Sequence, residues 1–371
     1  MEILNFIIPF VILLTVVVFV HEYGHYYFAK KYGVGITDFS IGFGREIFGF
    51  NDKSGTRWKF CLIPLGGYVK FFGDRNVFSQ AEQEELLKEY NEEDRKKLFV
   101  TKPLYQRALI VFAGPLANFI LAILIFTFIY MTIGKDFTPA QISEVQKDSP
   151  AYSAGIESGD VILEINDRKV NSILEVSAYI NSSTSEEILI KVLRNDNEIN
   201  LSVTPQTTKG KDKLGNEINK KIIGIKISPL NDKINKKRLG PATSLYYAIK
   251  ETWFVISASI DFIISMFKGK GDTTQLGGPI KIAKITGQVA QLGLIAFLTI
   301  TAYISISLGF INLLPIPMLD GGHLMFYTFE KILGRPLTQK TQESFFRIGL
   351  FLLVFLMLFT TVNDLKDLGL F

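Results

Sequence analysis

Long stretches without a charged side chain alternate along this chain with stretches rich in charge. Ile3–Val20, Ala108–Gly134, Ile285–Leu319 and Ile348–Asn363 carry no Asp, Glu, Lys or Arg over 18, 27, 35 and 16 positions. A bilayer-spanning helix needs about 20 mainly apolar residues, with a range of roughly 17–25. The first two runs predict spanning helices. The third is long enough for a span and a non-helical tail. The fourth is short, but Phe345 and Phe346 extend it and Arg347 can snorkel to the interface. A cleaved signal peptide is the alternative for the first run. Against it stand an n-region without Lys or Arg, no small-x-small cleavage site, and a run long for an h-region.

Two charged segments and one interrupted apolar segment lie between the runs. Val77–Lys102, rich in Glu and Lys, predicts a solvated helix. Pro139–Ile227 predicts a small soluble domain. Its strands are Ile142–Val145, Val161–Asn166, Ile188–Leu193 and Ile199–Val203, with a short helix over Val170–Ile180. Leu245–Phe267 is apolar but interrupted by Lys250, Glu251 and Asp261. Each of those would cost roughly 2.5–3.5 kcal/mol at mid-membrane on insertion scales. The segment therefore predicts an amphipathic helix in the interface plane, with a fifth span as the alternative. Four segments follow: 1–135 and 285–371 as the two membrane halves, 136–230 as the soluble domain, and 231–284 as the interfacial segment. The fold class is a multi-pass α-helical membrane protein of about four spans with an inserted α+β domain.

Charge adds an orientation. No Lys or Arg precedes the first run, while Lys30 and Lys31 follow it at once, which favours the N-terminus outside. Lys331, Arg335, Lys340 and Arg347 place the last short loop inside, so the C-terminus is also outside. The net charge of +4 is mild and suggests no nucleic-acid role.

Composition narrows the chemistry. Of 371 residues, 48% are hydrophobic and 20% charged, which argues against disorder and against an ordinary soluble globule. The lone cysteine, Cys61, excludes an internal disulfide and a Cys-based zinc finger. Three histidines, His21, His25 and His323, are too few for a multi-His di-iron oxidase. Two of them form His21-Glu22-Tyr23-Gly24-His25, an H-E-x-x-H pattern. On a helix, positions i and i+4 share a face, so both imidazoles can grip one metal ion, with Glu22 beside it to take a proton from water. The bland reading is a solvated helix end. It fails to explain ionisable residues running straight on from an apolar helix, where they are costly and usually functional.

A catalytic zinc usually takes three protein ligands. Asp320 is the better candidate for the third and His323 the alternative; Glu46 lies in no recognisable ligand pattern. Asp320 ends Asn312-Leu313-Leu314-Pro315-Ile316-Pro317-Met318-Leu319-Asp320-Gly321-Gly322-His323. The two prolines cannot continue a regular helix, and Gly321-Gly322 free the backbone.

Taken together, these motifs resemble the site-2 protease family of intramembrane zinc metalloproteases, in its bacterial regulator-of-sigma-E protease type. That family has H-E-x-x-H in the first span and a third ligand from N-x-x-P-x-x-x-L-D-G, which Asn312, Pro315, Leu319, Asp320 and Gly321 match. Gly114-Pro115-Leu116-Ala117-Asn118 resembles its G-P-x-x-N element. Ile41-Gly42-Phe43-Gly44 and Ile63-Pro64-Leu65-Gly66-Gly67-Tyr68-Val69-Lys70 resemble its membrane-associated β-region, and Gly277-Gly278-Pro279-Ile280 also fits. The soluble segment resembles a PDZ domain, with room for one rather than a tandem pair.

The resemblance implies Zn2+ on His21, His25 and Asp320 with Glu22 as general base. It implies substrate contacts at Asn118, Asn312, Gly42, Gly44, Gly66, Gly67 and Tyr68. For the two Asn residues, bonding between neighbouring helices is the other reading. For Ile63–Lys70, strand addition by an unwound substrate stands beside a hairpin that only shapes the site. The implied substrates are single-span membrane proteins already trimmed by an upstream site-1-type protease, such as anti-sigma factors, or leftover signal peptides. The implied place is the bacterial cytoplasmic (inner) membrane, with the PDZ-like domain on the extracytoplasmic side. A membrane-anchored PDZ scaffold with a non-catalytic metal site is the rival. A transporter lacks an apparent inverted repeat.

Overall fold

The computed structural model describes residues 2–74, 89–183, 185–211, 217–230, 233–269 and 276–367. Among them, four helices are long and apolar enough to cross a membrane: Leu4–Lys31, Leu104–Thr132, Leu294–Asn312 and Lys340–Lys366. These are the four spans expected from the uncharged runs. The chain divides into two compact units, Met1–Ile125 with Gly278–Lys366, and Phe126–Gly277.

The first unit starts with α1 (Glu2–Lys31), whose last turn carries Lys30 and Lys31. Strands β1 (Ile36–Asn51) and β2 (Arg57–Phe71) follow. Each is long and bends midway, so the pair curls into four short segments. Residues 36–41 pair with 67–71 on one side and with 57–60 on the other, and 46–51 pair again with 57–61. Gly42, Gly44 and Gly66 sit at the bends with φ of +87°, +86° and +118°, a backbone region that L side chains avoid. Phe39 is fully buried and stacks on Trp58 with ring centres 4.2 Å apart, joining the sheet to Tyr26 and Ala29 of α1.

The charged stretch expected to form one helix over Val77–Lys102 does not do so in its described part. Residues 75–88 lie outside the described residues. Beyond them come one helical turn, α2 (Glu92–Arg95), and a 3-10 turn at Phe99–Thr101. Leu98 and Phe99 are buried, and their apolar side chains break the solvated pattern.

Helix α3 (Leu104–Thr132) begins in this unit and continues into the second. The second unit is an α+β domain with β3 (Lys135–Asp136), β4 (Ala140–Val145), α4 (Pro150–Ser153), β5 (Val161–Ile165), β6 (Arg168–Lys169) and α5 (Ile173–Ser182). It continues through β7 (Ile188–Arg194), β8 (Asn197–Val203), β9 (Gln206–Lys211), β10 (Glu217–Ile222), β11 (Ile225–Pro229) and β12 (Lys236–Lys237). The main sheet is antiparallel in the order β11-β4-β5-β7-β8, with β6 against β5. Ile188, Ile190 and Val192 alternate inward with the exposed Leu189, the period-2 pattern of a strand buried on one face. The β9–β10 hairpin was not expected, because Gln206–Lys211 and Glu217–Ile222 lack apolar alternation.

Helix α6 (Pro241–Phe267) falls outside the four candidate spans. It packs on the α+β domain: Asp261 pairs with Arg168 at 3.2 Å, Phe254 meets the Tyr179 ring and Tyr247 meets Phe137. The expected independent segment 231–284 is thereby corrected. Residues 241–267 belong with the inserted domain, and the two membrane segments belong to one unit.

That unit continues with α7 (Pro279–Gln291), α8 (Leu294–Asn312), α9 (Asp320–Leu333) and α10 (Gln339–Asp367). The 35-residue uncharged run is therefore shared. Its first part completes α7, whose Gly287 lies so close to α1 that a Cβ there would meet Phe6 Cδ1 at 2.3 Å. Buried Asp364 of α10 accepts hydrogen bonds from the backbone N–H groups of Gly278, Ile280 and Lys281, capping the start of α7. This gives Gly277-Gly278-Pro279-Ile280 a structural reason, since a Cβ on Gly278 would meet Asp364 Oδ2 at 2.7 Å.

Candidate metal centre

His21 and His25 lie one helical turn apart in the C-terminal part of α1 and face the same way. Their Nε2 atoms are 3.2 Å apart. Asp320, the first residue of α9, brings Oδ2 to 3.1 Å from His21 Nε2 and Oδ1 to 3.5 Å from His25 Nε2. Donors held about 2.0–2.1 Å from a tetrahedral zinc stand about 3.3 Å from one another, and the three separations bracket that value. Asp320 Oδ2 is buried without a hydrogen-bond partner among the described residues, as a carboxylate oxygen kept for a metal would be. The residues present fit zinc. His323, the alternative third ligand, instead packs against Phe326 and Phe346 with ring centres 6.4 and 5.6 Å away. Glu46 pairs with Arg57 in the hairpin.

Asp320 reaches the histidines because the chain between α8 and α9 folds tightly. Pro315 and Pro317 end α8, Met318 adopts a positive φ of +88°, and the Leu319 N–H donates to the Ile316 carbonyl at 3.1 Å. Gly321 and Gly322 were expected to loosen the backbone here. They are ordinary helical residues, and they matter for want of space. A Cβ on Gly321 would meet Leu314 O at 2.2 Å, and one on Gly322 would meet Ile316 O at 2.5 Å. From the other side, Gly349 of α10 lets Pro317 approach, its Cβ position being 2.2 Å from Pro317 O. Arg107 secures the far end of α9 with two hydrogen bonds to Glu330 and lies over the Tyr327 ring.

Helix α3 forms the other wall. His25 Nδ1 donates to the Ile110 carbonyl at 2.9 Å, leaving Nε2 as its metal-facing atom. Gly24 and Gly114 let α1 and α3 come this close: a Cβ on Gly24 would meet Ala113 O, and one on Gly114 would meet His25 Nε2, each at 2.3 Å. Sequence reasoning recognised Gly114 only as part of a motif.

The remaining predicted residues separate. Asn312, half-buried at the end of α8, sets its amide 3.4 Å from His21 Nε2, beside the metal position. Asn118 is fully buried with its amide 3.3 Å from His21 Nδ1. That contact joins α3 to α1, the second of the two readings open for this residue. Gly67 lies against the general-base candidate, its Cβ position 3.0 Å from Glu22 Cγ and 3.1 Å from Val18 Cγ1. Gly42, Gly44 and Gly66 are accounted for by the bends of the hairpin, and Tyr68 stacks on Phe43 at 6.1 Å.

Residues 9–356 match the family model Peptidase family M50. A protein of Mesorhizobium japonicum named as a zinc metalloprotease is 40% identical over 370 residues, covering 98% of this chain and 99% of its own. An Agrobacterium fabrum protein named likewise is 40% identical over 98% of this chain and 96% of its own. Metalloprotease MmpA of Caulobacter vibrioides is 35% identical over 98% and 96%. A solved PDZ domain of an SdrC-like protein from Listeria monocytogenes matches 24% of this chain and 88% of its own at 24% identity, with a TM-score of 0.20. The chain belongs to peptidase family M50, the site-2 protease family. It is a membrane protein and a metalloprotease, and its metal is zinc.

Proposed function

We propose that the chain is an intramembrane endoprotease of the site-2 type that cuts peptide bonds within the membrane segments of single-span proteins. The observation that carries this reading is the buried His21–His25–Asp320 cluster. It is built from the end of one candidate span and the residue opening the helix after another. Bound zinc supplies Lewis acidity at the scissile carbonyl and brings the pKa of an attacking water towards about 7. Glu22 takes the proton from that water and hands it to the leaving amine. The Asn312 amide stands beside the ligand atoms, where it can donate to a carbonyl oxygen of the substrate backbone.

A transmembrane helix hides its scissile bonds in its own hydrogen bonds, so the substrate must unwind. Residues 67–71 support the route. Among the described residues this segment pairs only with 36–41, and Gly67 sets it against Glu22. An extended substrate segment adds to its other edge. The substrates are single-span proteins trimmed beforehand by a site-1-type protease, such as anti-sigma factors, or remnant signal peptides. The chain works in the bacterial cytoplasmic membrane. The Lys30-Lys31 pair after the first span and the even number of candidate spans support placing both termini and the inserted domain outside.

The test is cleavage of a single-span substrate by purified protein, with Glu22→Gln as control. The variant is expected to retain zinc and lose cleavage. Persistent cleavage, or loss of zinc, would contradict the role of Glu22. A wild-type protein that holds zinc yet cleaves nothing would favour the scaffold reading.

A further inference from the structure

His25 has a visible acceptor for its Nδ1 proton in the Ile110 carbonyl. His21 needs one too. Its Nε2 is the atom that converges with His25 Nε2 and Asp320, so in a zinc-binding, neutral imidazole the proton must reside on Nδ1. The group facing His21 Nδ1 is the Asn118 side-chain amide, 3.3 Å away and fully buried. With the amide nitrogen turned toward His21, two donors would face each other, whereas the amide oxygen in that place gives the Nδ1 proton an acceptor. The two ends of an amide have nearly the same shape, so hydrogen bonding decides its orientation.

We propose that Asn118 is a positioning residue of the metal site: its side-chain oxygen accepts the His21 Nδ1 proton and holds the ring in the tautomer that offers Nε2 to zinc. The proposal rests on the zinc reading of the site. Its consequence is that the segment Ile110–Asn118 of α3 acts as one platform. The Ile110 carbonyl orients His25, Asn118 orients His21 two helical turns further on, and Gly114 between them leaves room for both rings. Asn118 is itself anchored, because its backbone carbonyl accepts a hydrogen bond from Ser305 Oγ of α8 at 2.9 Å.

The experiment compares Asn118→Leu and Asn118→Asp in the full-length protein. Zn2+ affinity is read by competition with a chromophoric chelator, and ligand geometry by the visible spectrum of the Co2+-substituted protein. Loss of such an outer partner typically weakens metal binding about 10–100-fold. Asn118→Leu is expected to show a loss in that range with an altered Co2+ spectrum. Asn118→Asp, which places an oxygen at either position, is expected to bind as the wild type or tighter with the wild-type spectrum. A residue that merely packed helices would lower the thermal midpoint of the metal-free protein while leaving affinity and spectrum unchanged, and that result overturns the proposal. Zinc binding in Asn118→Asp as weak as in Asn118→Leu also overturns it. If Asn118→Leu fails to fold, the affinity of Asn118→Asp decides alone. A wild-type protein that takes up no Zn2+ would overturn the underlying metal reading instead.

Discussion

Gly114 shows how one missing side chain can matter more than a present one. In the middle of an apolar helix, glycine is about 1 kcal/mol worse than alanine, so Gly114→Ala should by local rules improve α3. The Cβ would lie 2.3 Å from His25 Nε2 and 2.9 Å from His21 Cε1. We therefore expect Gly114→Ala to lose zinc, measured by metal stoichiometry, whatever it does for helix stability. Retention of full zinc would mean that the rings can shift without cost. The position is legible in the sequence only as a glycine that a helix does not want. What it makes room for is 89 residues away in the chain, at His25.

Among the elements, the β1–β2 hairpin is tied to α1 by its turn. Asp52 accepts from the N–H groups of Ser54 and Thr56 at 2.8 and 3.0 Å and from Tyr26 Oη at 2.7 Å, with Lys30 Nζ at 3.3 Å. Burial pushes its carboxyl up, but the donors of Ser54, Tyr26 and Thr56 outweigh burial and hold it well below the ordinary carboxylate range. A depressed folded-state pKa gives stability that is present above the unfolded value, near 4, and lost as pH falls below it. Trp58 Nε1 lies 3.4 Å from the same carboxylate, so its fluorescence reports the turn. The wild-type signal should change as pH falls below about 4, and Asp52→Asn should remove that acid dependence while loosening the turn at neutral pH. An unchanged acid profile in Asp52→Asn would show that another group carries it. The strands themselves were legible only through the family resemblance of Ile41–Gly44 and Ile63–Lys70. Their double pairing was not, because a positive φ at Gly42, Gly44 and Gly66 is a property of the folded backbone.

Across the whole molecule, the metal-bearing unit and the inserted domain rely on different cores and different ion pairs. In the inserted domain Arg194 donates twice to Asp160, which is 1% exposed, and once to Glu157. Removing one partner of a fully buried pair costs about 3–5 kcal/mol. Arg194 is about one-fifth exposed, so Arg194→Ala should cost about 2–3 kcal/mol. The loss should appear as faster amide exchange in Val161–Arg194, with zinc content unchanged. A parallel fall in zinc would show that the two units are coupled. The pairing was hidden in the sequence, where Arg194 lies just past the strand read at Ile188–Leu193 and 34 residues from Asp160.

By itself the sequence determined whatever depends on periodicity and neighbouring residues. Uncharged runs near bilayer length specified the four spans, a four-residue spacing put His21 and His25 on one face, and alternation marked the main strands of the inserted domain. Only the tertiary structure decided what depends on contact between distant segments. It chose Asp320 over His323, because the turn 313–319 aims the start of α9 at the histidines while His323 packs against Phe326 and Phe346. It set the Asn118 amide against His21 Nδ1, and it joined α6 to the inserted domain. The reason is physical. A helix or strand preference is set within a few residues, whereas a metal site is set by which backbones can approach within a side chain's width, and that depends on glycines and turns whose partners lie elsewhere in the chain.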